Sequence, residues 1–581
     1  MATFSDAAAQ PSKQRIVLVE VDLSAEQDKF NPYEAGIWQW QNTQTEDDIK
    51  STYWFTVFGA DCTPNNTERK SIKSFRAGNV LFTEVPDLAT LRTQNRSFYY
   101  DEATTIIYVH FDDNNPWYIY DSYIGEAQGF CDQKQASALD GCYYNDLYYE
   151  PRIVGDLSLP MEKDPLFYGI MGFDSVAVEL DNADGFCDDF PNKHLFGQPM
   201  RILLGYDGVA YADFAQVFSG VLETPEYPDF STAILNGIDS RKSLSRSIPA
   251  RTLSQDDYSY LDDDDHGKEK PLAWGVVRNC PCICLNKTET AATYTYMFLD
   301  TTDHDAGALT TVYVEGVEVT PGSSDLSAGT FTLTTEQCSA GKDDVTADFT
   351  GFDGITNGLD VIKDMLLSYE EITYIAANYN LIEWAAETLL AENVGLYVET
   401  ATPMNELIES ICQSLQGIFL VQGNGLYTFR SWDADRDPER IISEDEFQGD
   451  PEIVYPPEEF LSSAKINYSR DHDENKFRAY TNMDHETEAA GLHHRYEQGE
   501  YDTLLTTETD AIAISEEIML RCKYINPTVS RRILTYPDFE IMDFVVATIM
   551  RNESTTIIPI AIYEVVGVDK LTGDISLKWV R

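Results

Sequence analysis

The sequence predicts a mostly β, multidomain protein with α+β segments, in which small β-barrels or sandwiches accompany a helix and hairpin central region. Its 581 residues exceed the ~250–300 residues that one hydrophobic core serves. Alternating β-branched and aromatic segments, separated by Asn, Asp, Pro and Gly, recur along most of the chain. Helical spacing of apolar residues is confined mainly to residues 355–416 and 508–524.

Shifts in these patterns divide the chain into five predicted parts. An aromatic-rich β region precedes a β-barrel-like domain, a second β domain, an α+β domain with a helix and an Asn-Gly hairpin, and a β-rich domain with one helix. Their predicted bounds are 1–150, 151–255, 256–350, 351–455 and 456–581.

The first part is dense in Tyr, Trp and Phe, which leaves two interpretations open. These rings either pack in the interior or form a sugar-binding or adhesive surface, since aromatic faces supply contact area at little entropic cost. For the second interpretation, Trp117 and Tyr118 are the candidate ligand contacts. Strands are predicted here at residues 15–23, 53–58, 106–111 and 117–120.

Regularly spaced strands predict a small barrel or sandwich in the second part. Residues 181–185 (DNADG) are similar to a calcium loop, but counting back from the glycine places Leu180 and Asn182 at ligand positions 1 and 3. A tight turn is therefore predicted. The strands are predicted at residues 175–180, 200–206, 216–223 and 232–238.

One basic island follows, directly before the acidic pair Asp256 and Asp257 and the acidic run 262–265. Opposite charges in adjacent segments are typical of an exposed linker or of a subunit contact, and both interpretations stay open. The island consists of Arg241, Lys242, Arg246 and Arg251.

Ten cysteines are too sparse for a disulfide scaffold, so reduced, buried thiols are expected. In the third part, Cys280, Cys282 and Cys284 alternate on one predicted strand without the nearby second pair that a zinc site needs. They are predicted to pack as small apolar side chains. A two-residue hairpin loop is predicted at Glu315-Gly316.

The fourth part contains three predicted helices. Asn357 is the candidate cap of the first, and residues 381–390 repeat the helical pattern. Thr402 is the candidate cap of the third, with Pro403 in its first turn and Gly417 at its end.

A β-hairpin at Asn424-Gly425 closes the fourth part, and the fifth part combines strands with one helix over residues 508–524. Asp471–Glu474 form an acidic and histidine-containing group with Asp484, His485, His493 and His494, which is predicted to be a solvated loop rather than a metal site. The strands are predicted at residues 463–470, 543–549, 560–568 and 575–579.

Charge excludes several classes of function. The chain carries 98 acidic against 41 basic side chains, a formal net charge of −57. Binding to nucleic-acid phosphates or to anionic membranes needs Lys and Arg, so both are disfavoured. The first residues lack a secretory signal, and apolar stretches are shorter than the ~20 residues of a membrane span. We expect a soluble protein made in the cytoplasm, with no stable membrane insertion.

Sequence patterns of catalysis are absent. There is no G-x-S-x-G elbow, Walker loop, dinucleotide glycine fingerprint or H-E-x-x-H. With so many carboxylates, no pair for glycoside hydrolysis can be singled out. We therefore expect a non-enzymatic protein with no catalytic residue, no metal site and no cofactor.

The stretch from Val176 to Val221 carries a family resemblance. Its segments VAVELDNADGFCDDF, LFGQPMRILLGYDG and DFAQVFSGV resemble tail-tip and baseplate hub proteins of tailed bacteriophages, in which a strand, a D-N-x-D-G-x-x-D turn and two further strands follow one another. The segments IDSRKSLSRSIPA and KPLAWGVVRNCPCI, and the helix and hairpin from Pro403 to Trp432, are similar to the same proteins. The resemblance covers roughly residues 15–581 and transfers no catalytic residue.

This resemblance implies a structural virion protein at the hub or tip of a phage tail, assembled in the host cytoplasm. Such proteins form a ring, commonly of three copies, that closes and extends the tail tube around a channel. Distal tail or tube, tape-measure and fibre proteins would be its partners, and DNA would pass without specific binding. Because a negative lumen repels phosphate, excess carboxylates are expected along the channel.

Two alternatives stay open. A host-surface carbohydrate-binding tail adhesin is favoured by the density of Tyr and Trp in residues 33–150. A tail-associated glycoside hydrolase is a weaker alternative, because carboxylates alone support it.

Overall fold

The computed structural model describes most of the chain beyond residue 146 and separate strands before it. The described residues are 15–22, 38–40, 52–56, 72–77, 80–84, 97–101, 106–110, 122–132, 142–144, 147–155, 157–163, 168–172, 176–193, 196–206, 209–287, 292–338, 344–433, 436–485, 496–552 and 555–580.

The chain forms two compact units. The first comprises residues 1–159 and 173–240, and the second comprises residues 160–172 and 241–581. The short segment 160–172 thus belongs to the second unit although residues of the first unit flank it in the sequence. Both units consist mainly of β-sheet, which confirms the prediction of a mostly β, multidomain fold with α+β segments.

The first seventeen strands include all those of the first unit. They are β1 Arg15–Asp22, β2 Trp38–Trp40, β3 Thr52–Thr56, β4 Ile72–Ala77, β5 Val80–Glu84, β6 Ser97–Asp101, β7 Ile106–His110, β8 Ser122–Asp132, β9 Cys142–Tyr144, β10 Leu147–Ile153, β11 Pro160–Glu162, β12 Gly169–Met171, β13 Val176–Asp181, β14 Pro199–Tyr206, β15 Ala215–Leu222, β16 Glu226–Asp229 and β17 Thr232–Ile238.

The remaining strands belong to the second unit. They are β18 Ser247–Ile248, β19 Leu272–Pro281, β20 Ile283–Cys284, β21 Thr293–Met297, β22 Ala306–Val314, β23 Val317–Val319, β24 Ser323–Asp325, β25 Thr330–Thr334, β26 Val345–Phe352, β27 Gly395–Val398, β28 Thr402–Pro403, β29 Gly417–Val421, β30 Tyr427–Ser431, β31 Arg440–Ile442, β32 Phe447–Val454, β33 Ser463–Asp471, β34 Lys476–Asp484, β35 Gln498–Asp502, β36 Thr528–Ile533, β37 Phe544–Asn552, β38 Thr555–Asp569 and β39 Asp574–Trp579.

A closed ring of seven strands forms the centre of the first unit. Its strands follow the order β8-β1-β14-β15-β17-β13-β10, and the parallel pairing of β10 with β8 closes the ring. The strands alternate as a barrel requires: along β13, Val176, Val178 and Leu180 are buried while Ala177 and Glu179 are exposed. The strands predicted from residue 175 to residue 238 all take part.

The second unit contains several sheets of different sizes. An eight-stranded sheet follows the order β23-β22-β26-β19-β33-β34, with β27 on β19 and β35 on β33. A seven-stranded sheet follows the order β31-β37-β38-β39-β36-β32, with β11 on β38. Smaller sheets are β20-β21-β25-β24, β12-β29-β30 and β18-β28. One core cluster of the second unit draws its buried side chains from between Leu244 and Phe429 and includes the fully buried Trp274 and Trp384.

Four α-helices lie among the described residues, all in the second unit and all within the predicted helical regions. Short 3-10 helices lie at Phe186–Lys193, Tyr211–Asp213, Ser240–Ser245, Glu444–Glu446 and Pro457–Glu459. The α-helices are α1 Gly358–Glu370, α2 Leu381–Thr388, α3 Met404–Ser414 and α4 Glu508–Cys522.

The caps of these helices confirm one prediction and correct another. Asn357 caps α1 by accepting hydrogen bonds from the backbone N–H groups of Leu359 and Asp360. Thr402 does not cap α3, because Thr402 and Pro403 pair with β18 as the short strand β28, and Pro403 is the residue before the helix.

The end of α3 also differs from the prediction. Gly417 begins β29, and the left-handed turn between helix and strand is made by Gln416, with φ of 50°. The prediction placed this conformation on the glycine because glycine adopts positive φ at least cost. Gly417 is instead needed where it is because a Cβ there would lie 2.3 Å from the ring of Phe429.

Both predicted tight hairpins form. Glu315 and Gly316 join β22 to β23, both with positive φ, as a two-residue hairpin loop requires. Asn424-Gly425 lies in the connection between β29 and β30, where Gly425 has φ of 83°.

Candidate interaction sites

The two candidate ligand-contact aromatics cannot be placed. Trp117 and Tyr118 lie outside the described residues, and so do His493 and His494 of the acidic and histidine-containing group. The sugar-binding interpretation of the first part therefore stays a prediction.

The basic island lies at the start of the second unit, and two of its arginines are held by intrachain bonds. Arg246 is exposed and donates to the backbone oxygen of Tyr369 at 2.6 Å. Arg251 makes a bidentate pair with Asp303 at 2.7 and 2.9 Å, which raises the pKa of its guanidinium. Arg241 and Lys242 lie in the 3-10 helix before them. Their role as a subunit contact stays a prediction.

Residues 181–185 form a tight turn, as predicted. The buried Asn182 accepts from the backbone N–H of Cys187 at 2.6 Å and donates to Asp188 at 2.8 Å. Arg152 makes a bidentate pair with Asp184, 2.8 Å on each side, and its guanidinium lies 4.0 Å over the ring of Phe186. The polar groups of this corner are therefore used to hold the turn.

The cysteines of the C-x-C-x-C run pack as small apolar side chains, as predicted, but they do not lie on one strand: Cys280 is in β19, Cys284 is in β20, and Cys282 lies between these strands. Cys280 and Cys284 are buried, Cys282 is half-buried, and all three are free thiols. Burial raises the pKa of each thiol, which keeps it protonated, and a protonated thiol is a poor nucleophile and a poor metal ligand. Cys282 and Cys284 line a cavity of about 440 Å³.

A cleft of about 520 Å³ lies beside α3 and β35. Its polar wall combines the carboxylates of Glu500 and Asp502, both of which accept from Asn467, at 3.0 and 2.8 Å. The hydrogen bond from Lys465, at 2.6 Å, lowers the pKa of Glu500, so this carboxyl stays ionised and is unsuited to act as a general acid. The lining residues are Tyr168, Glu409, Gln413, Gln416, Glu500, Tyr501 and Asp502.

The most unusual electrostatic feature is a fully buried group of charges between α4, β38 and segment 160–172. Arg521 makes a bidentate pair with Glu564, 2.7 Å to each oxygen, and donates to the hydroxyl of Tyr168. Lys163 lies 3.6 Å from the same carboxylate. Burial, followed by repulsion from Arg521, lowers the pKa of Lys163 to about 7. Sequence reasoning missed this group because its members are far apart in the chain.

The acidic and histidine-containing group is only partly the solvated loop that was predicted. Asp473 and Glu474 are exposed, but Asp471 is buried at the end of β33. Its carboxylate accepts from Asn279 at 2.8 Å and from Arg478 at 3.0 Å. Burial lowers the pKa of His472 to about 4, so the ring is neutral at ordinary pH. The prediction was wrong for Asp471 because strand β33 continues through it.

A second group of acidic side chains in the second unit lies close enough together for their charges to repel one another. Burial raises the pKa of Glu517 on α4 to about 8, and repulsion from Glu392, Asp433 and Glu387 adds to this effect. Burial also raises the pKa of Glu392 to about 7. Their protonation is therefore expected to change near neutral pH.

Among the described residues, no group of three or more His, Cys, Asp or Glu side chains could hold a metal ion. None of the helices in that part of the chain has the length and hydropathy of a membrane span.

Comparison with known proteins gives structural likenesses. No protein-family model matches the chain, and no curated protein does so. The tail protein from Neisseria meningitidis MC58 is similar at 8% identity, over 75% of this chain and 94% of its own, with a TM-score of 0.38. The 43 kDa tail protein of prophage MuSo2 from Shewanella oneidensis is similar at 11% identity, over 76% and 95%, with a TM-score of 0.34.

A third likeness is to a chain in the virion of a native gene transfer agent particle, at 11% identity, over 55% of this chain and 86% of that one, with a TM-score of 0.36. The prediction of a phage tail or baseplate protein agrees with the class of these structures. Identities of 8 to 11% and TM-scores below 0.5 do not establish family membership.

Proposed function

We propose that the chain is a structural component of a phage tail, located at the hub or tip, where copies form a ring around a channel for DNA and the tape-measure protein. Distal tail or tube proteins and fibre proteins are its proposed neighbours, and genome ejection and host attachment are the processes it serves. The proposed chemistry is assembly, not catalysis.

The observation that carries the proposal is the seven-stranded ring of the first unit. The segment from Val176 to Val221, on which the resemblance to hub proteins depends, folds as three strands of this ring, β13, β14 and β15. Its D-N-A-D-G turn is held by buried hydrogen bonds, as its proposed architectural role requires. A closed barrel leaves no free edge within the ring, which suits a module that must stack in an ordered assembly.

The charge supports a passage rather than a docking site for DNA. A chain with 98 acidic and 41 basic side chains repels phosphate, so DNA would pass through a ring of such chains without being held. We propose that carboxylates in excess line the channel. A basic lumen, with the acidic residues mainly on the outer wall, would contradict this part of the proposal.

The basic island is the proposed contact between copies. In a chain this acidic, a neighbouring copy offers carboxylates over most of its surface, and Arg246 is an exposed arginine that would attract them. Arg246→Glu is expected to weaken ring assembly at low salt, measured by sedimentation velocity. Lys476→Glu, which changes an exposed lysine of β34 paired with Glu474, is the matched control.

Imaging of the assembled particle tests the proposed location directly. With the chain labelled at its C-terminus, density for the label is expected around the axis at the distal end of the tail tube. A label at the tip of a peripheral fibre would overturn the hub assignment. Specific binding of the full chain to a glycan array, lost in Trp117→Ala or Tyr118→Ala, would favour the adhesin alternative instead.

A further inference from the structure

Strand β34 forms one edge of the eight-stranded sheet. It pairs with β33, from Lys476 opposite Asp471 to Asp484 opposite Ser463, and with no other described strand. No register shift interrupts this pairing. β34 leaves the sheet opposite Ser463, and β35 enters it opposite the same residue, so the connection between them starts and ends at one end of β33.

The sequence of β34 lacks the usual protection of an exposed edge. Natural proteins blunt such edges with short strands, prolines, bulges or charges. The edge strands β23 and β24 have only three residues each, and the edge strand β32 contains Pro451 and a register shift. β34 (KFRAYTNMD) has nine residues without proline or glycine. Arg478, the charge nearest to its centre, donates to Asp471 at 3.0 Å and is neutralised within the chain. Such an edge can accept a further strand.

The order of charges along β34 identifies the occupant as the same strand of a second copy. Lys476 and Asp484 are the first and last residues of the strand, and both are exposed. When two copies are aligned antiparallel about the central Tyr480, Lys476 of each copy lies directly opposite Asp484 of the other. Opposite charges directly across a strand pair are favourable, and this alignment places such a pair at both ends of the contact.

The residues between the charges match in the same alignment. Phe477 lies opposite Met483 on the half-buried face of β34, where a sulfur–aromatic contact is favourable. Met483 already packs against the core cluster that includes Ile514 of α4. On the other face, Tyr480 exposes 66% of its surface, and the two copies of its ring would be neighbours. Both faces of the strand are therefore self-complementary.

We propose that β34 pairs antiparallel with β34 of a second copy of this chain, about a two-fold axis at Tyr480, so that one sheet runs through both copies. A contact of a surface with itself joins two copies and cannot close a ring of three. The two-fold contact is therefore separate from the ring contact proposed at the basic island. It does not depend on the proposed place in a phage tail.

The two charges of β34 cannot compensate each other within one copy. Lys476 and Asp484 are eight residues apart on one extended strand, which is about 27 Å. Any compensation between changes at these two positions must therefore act between copies.

Sedimentation velocity over a concentration series of the full chain tests the contact. Salt of about 0.15 M screens repulsion between the two acidic copies beyond about 8 Å. The natural chain is expected to dimerise. Lys476→Glu and Asp484→Lys should each weaken the dimer at least tenfold, because each places like charges opposite one another at both ends of the contact. Glu452→Lys, the same change of charge at an exposed position of the edge strand β32, is the control and should dimerise as the natural chain does.

Mixing the two variants gives the decisive result. In a mixed pair every negative end of β34 faces a positive end, so Lys476→Glu and Asp484→Lys together should recover the affinity that each lacks alone. Absence of a dimer of the natural chain, or no recovery in the mixture, would overturn the proposal. Lys476→Glu should retain ring assembly and Arg246→Glu should retain the two-fold contact, so failure of one proposal is distinguishable from failure of the other.

Oxidative cross-linking tests the register. Residues directly opposite each other in an antiparallel pair have Cα atoms about 4.5–5.5 Å apart, within reach of a disulfide. Tyr480→Cys is therefore expected to give a covalent dimer. Asn482→Cys is the matched control on the same face, because its two copies would be offset by four residues, about 14 Å. The natural chain is the blank for its ten cysteines. Equal cross-linking of the two variants would overturn the proposed alignment.

Discussion

At the scale of single residues, burial of the charged Lys163 side chain lowers the free energy of unfolding. It is fully buried and shares the carboxylate of Glu564 with Arg521, so two cations face one anion. Its pKa of about 7 lies below the 10.5 of a free lysine. Between these values the unfolded chain holds a proton that the folded chain has released, so the free energy of unfolding rises with pH. Below pH 7 the folded state bears the full cost of the buried charge.

Lys163→Met is therefore expected to stabilise the chain at pH 6, by at least about 1 kcal/mol, and to flatten the rise of stability between pH 7 and pH 10. Scanning calorimetry of both proteins across this range measures the effect. Lys268→Met, at an exposed lysine, serves as the control and should not reproduce the stabilisation at pH 6, because it only removes an exposed ion pair with Asp265. A variant that keeps the wild-type slope between pH 7 and pH 10 would show that Lys163 is not the titrating group.

Arg521→Met, in the same buried group, is expected to destabilise the chain, whereas Lys163→Met is expected to stabilise it. It removes the bidentate partner of Glu564 and leaves Lys163 as the cation nearest to that carboxylate. Breaking a buried ion pair in this way costs about 3–5 kcal/mol. A lower free energy of unfolding, with the loss largest at the pH where Lys163 is deprotonated, is the expected result, and urea unfolding at pH 6 and pH 9 measures it. Equal losses at the two pH values would contradict the coupling.

The pKa of Glu517 is raised, and this shift lowers the stability of the folded chain at neutral pH. Its pKa of about 8 is above the 4.5 of a free glutamate, so between these values the folded chain holds a proton that the unfolded chain lacks. The free energy of unfolding therefore falls as pH rises through this window. Glu517→Gln should raise the melting temperature at pH 8 and have little effect at pH 4.5. Glu516→Gln, at the exposed neighbour, is the control. Equal gains in both variants would point to general charge reduction.

At the scale of elements, Asn357 joins two helices. Its side-chain oxygen caps α1, and its amide nitrogen donates to the backbone oxygens of Thr388 and Ala391 at the end of α2, 3.0 Å each. An ordinary N-cap substitution to Ala costs about 1 kcal/mol, and here the second helix loses bonds too. Asn357→Ala should cost about 2 kcal/mol, whereas Asn357→Ser, which keeps a capping oxygen but lacks the amide N–H groups, should cost less. Chemical denaturation measures both: equal costs would show that the cap contributes nothing, and no cost in the second variant would show that the amide bonds contribute nothing.

Elements with a local signal were predictable from the sequence. Asn357 before α1 and the turn pairs Glu315-Gly316 and Asn424-Gly425 carry their own backbone requirements, and the structure confirms them. The predicted cap at Thr402 failed because a distant strand, β18, pairs with that residue. Pairing between remote strands leaves no local pattern, so tertiary structure overrode a correct local preference.

The interaction sites were less predictable than the elements for a related reason. The sequence LIEWAAETLL shows helical spacing but has apolar residues on two sides, and spacing alone does not say which side is buried. The structure assigns Trp384 to the interior and Ile382 and Leu389 to the surface. Lys163, Arg521 and Glu564 form one buried group, although Lys163 and Arg521 are more than 350 positions apart in the sequence. Only the folded chain brings such groups together.

At the scale of the whole molecule, the two compact units and the five predicted parts describe different things. The ring of the first unit takes β1, β8 and the first residues of β10 from residues 1–150, and the rest of the ring comes from later residues. One core cluster of the second unit takes side chains from both the third and the fourth predicted parts. The five-part division of the sequence into domains stays a proposal. The two units are instead defined by where residues contact one another most densely.

Net charge is the property of the whole molecule with the most direct consequence for stability. A formal charge of −57 makes the folded chain repel itself, and salt screens this repulsion over a Debye length of about 10 Å at 0.1 M. Exposed ion pairs such as that of Lys268 with Asp265 weaken in salt, but each contributes at most about 1 kcal/mol. Repulsion should therefore dominate, and the melting temperature should rise by several degrees between 20 and 500 mM NaCl.

The same titration with tetramethylammonium chloride separates screening from specific cation binding, because this large cation screens charge but does not coordinate carboxylates. Similar rises in both salts are expected if the carboxylates are spread along surfaces that repel one another. A rise in NaCl alone would indicate bound Na⁺. A falling melting temperature in both salts would show that attractive ion pairs outweigh the repulsion. The basic side chains of the chain would then already neutralise its acidic surface. Such a surface is incompatible with a channel wall that repels DNA.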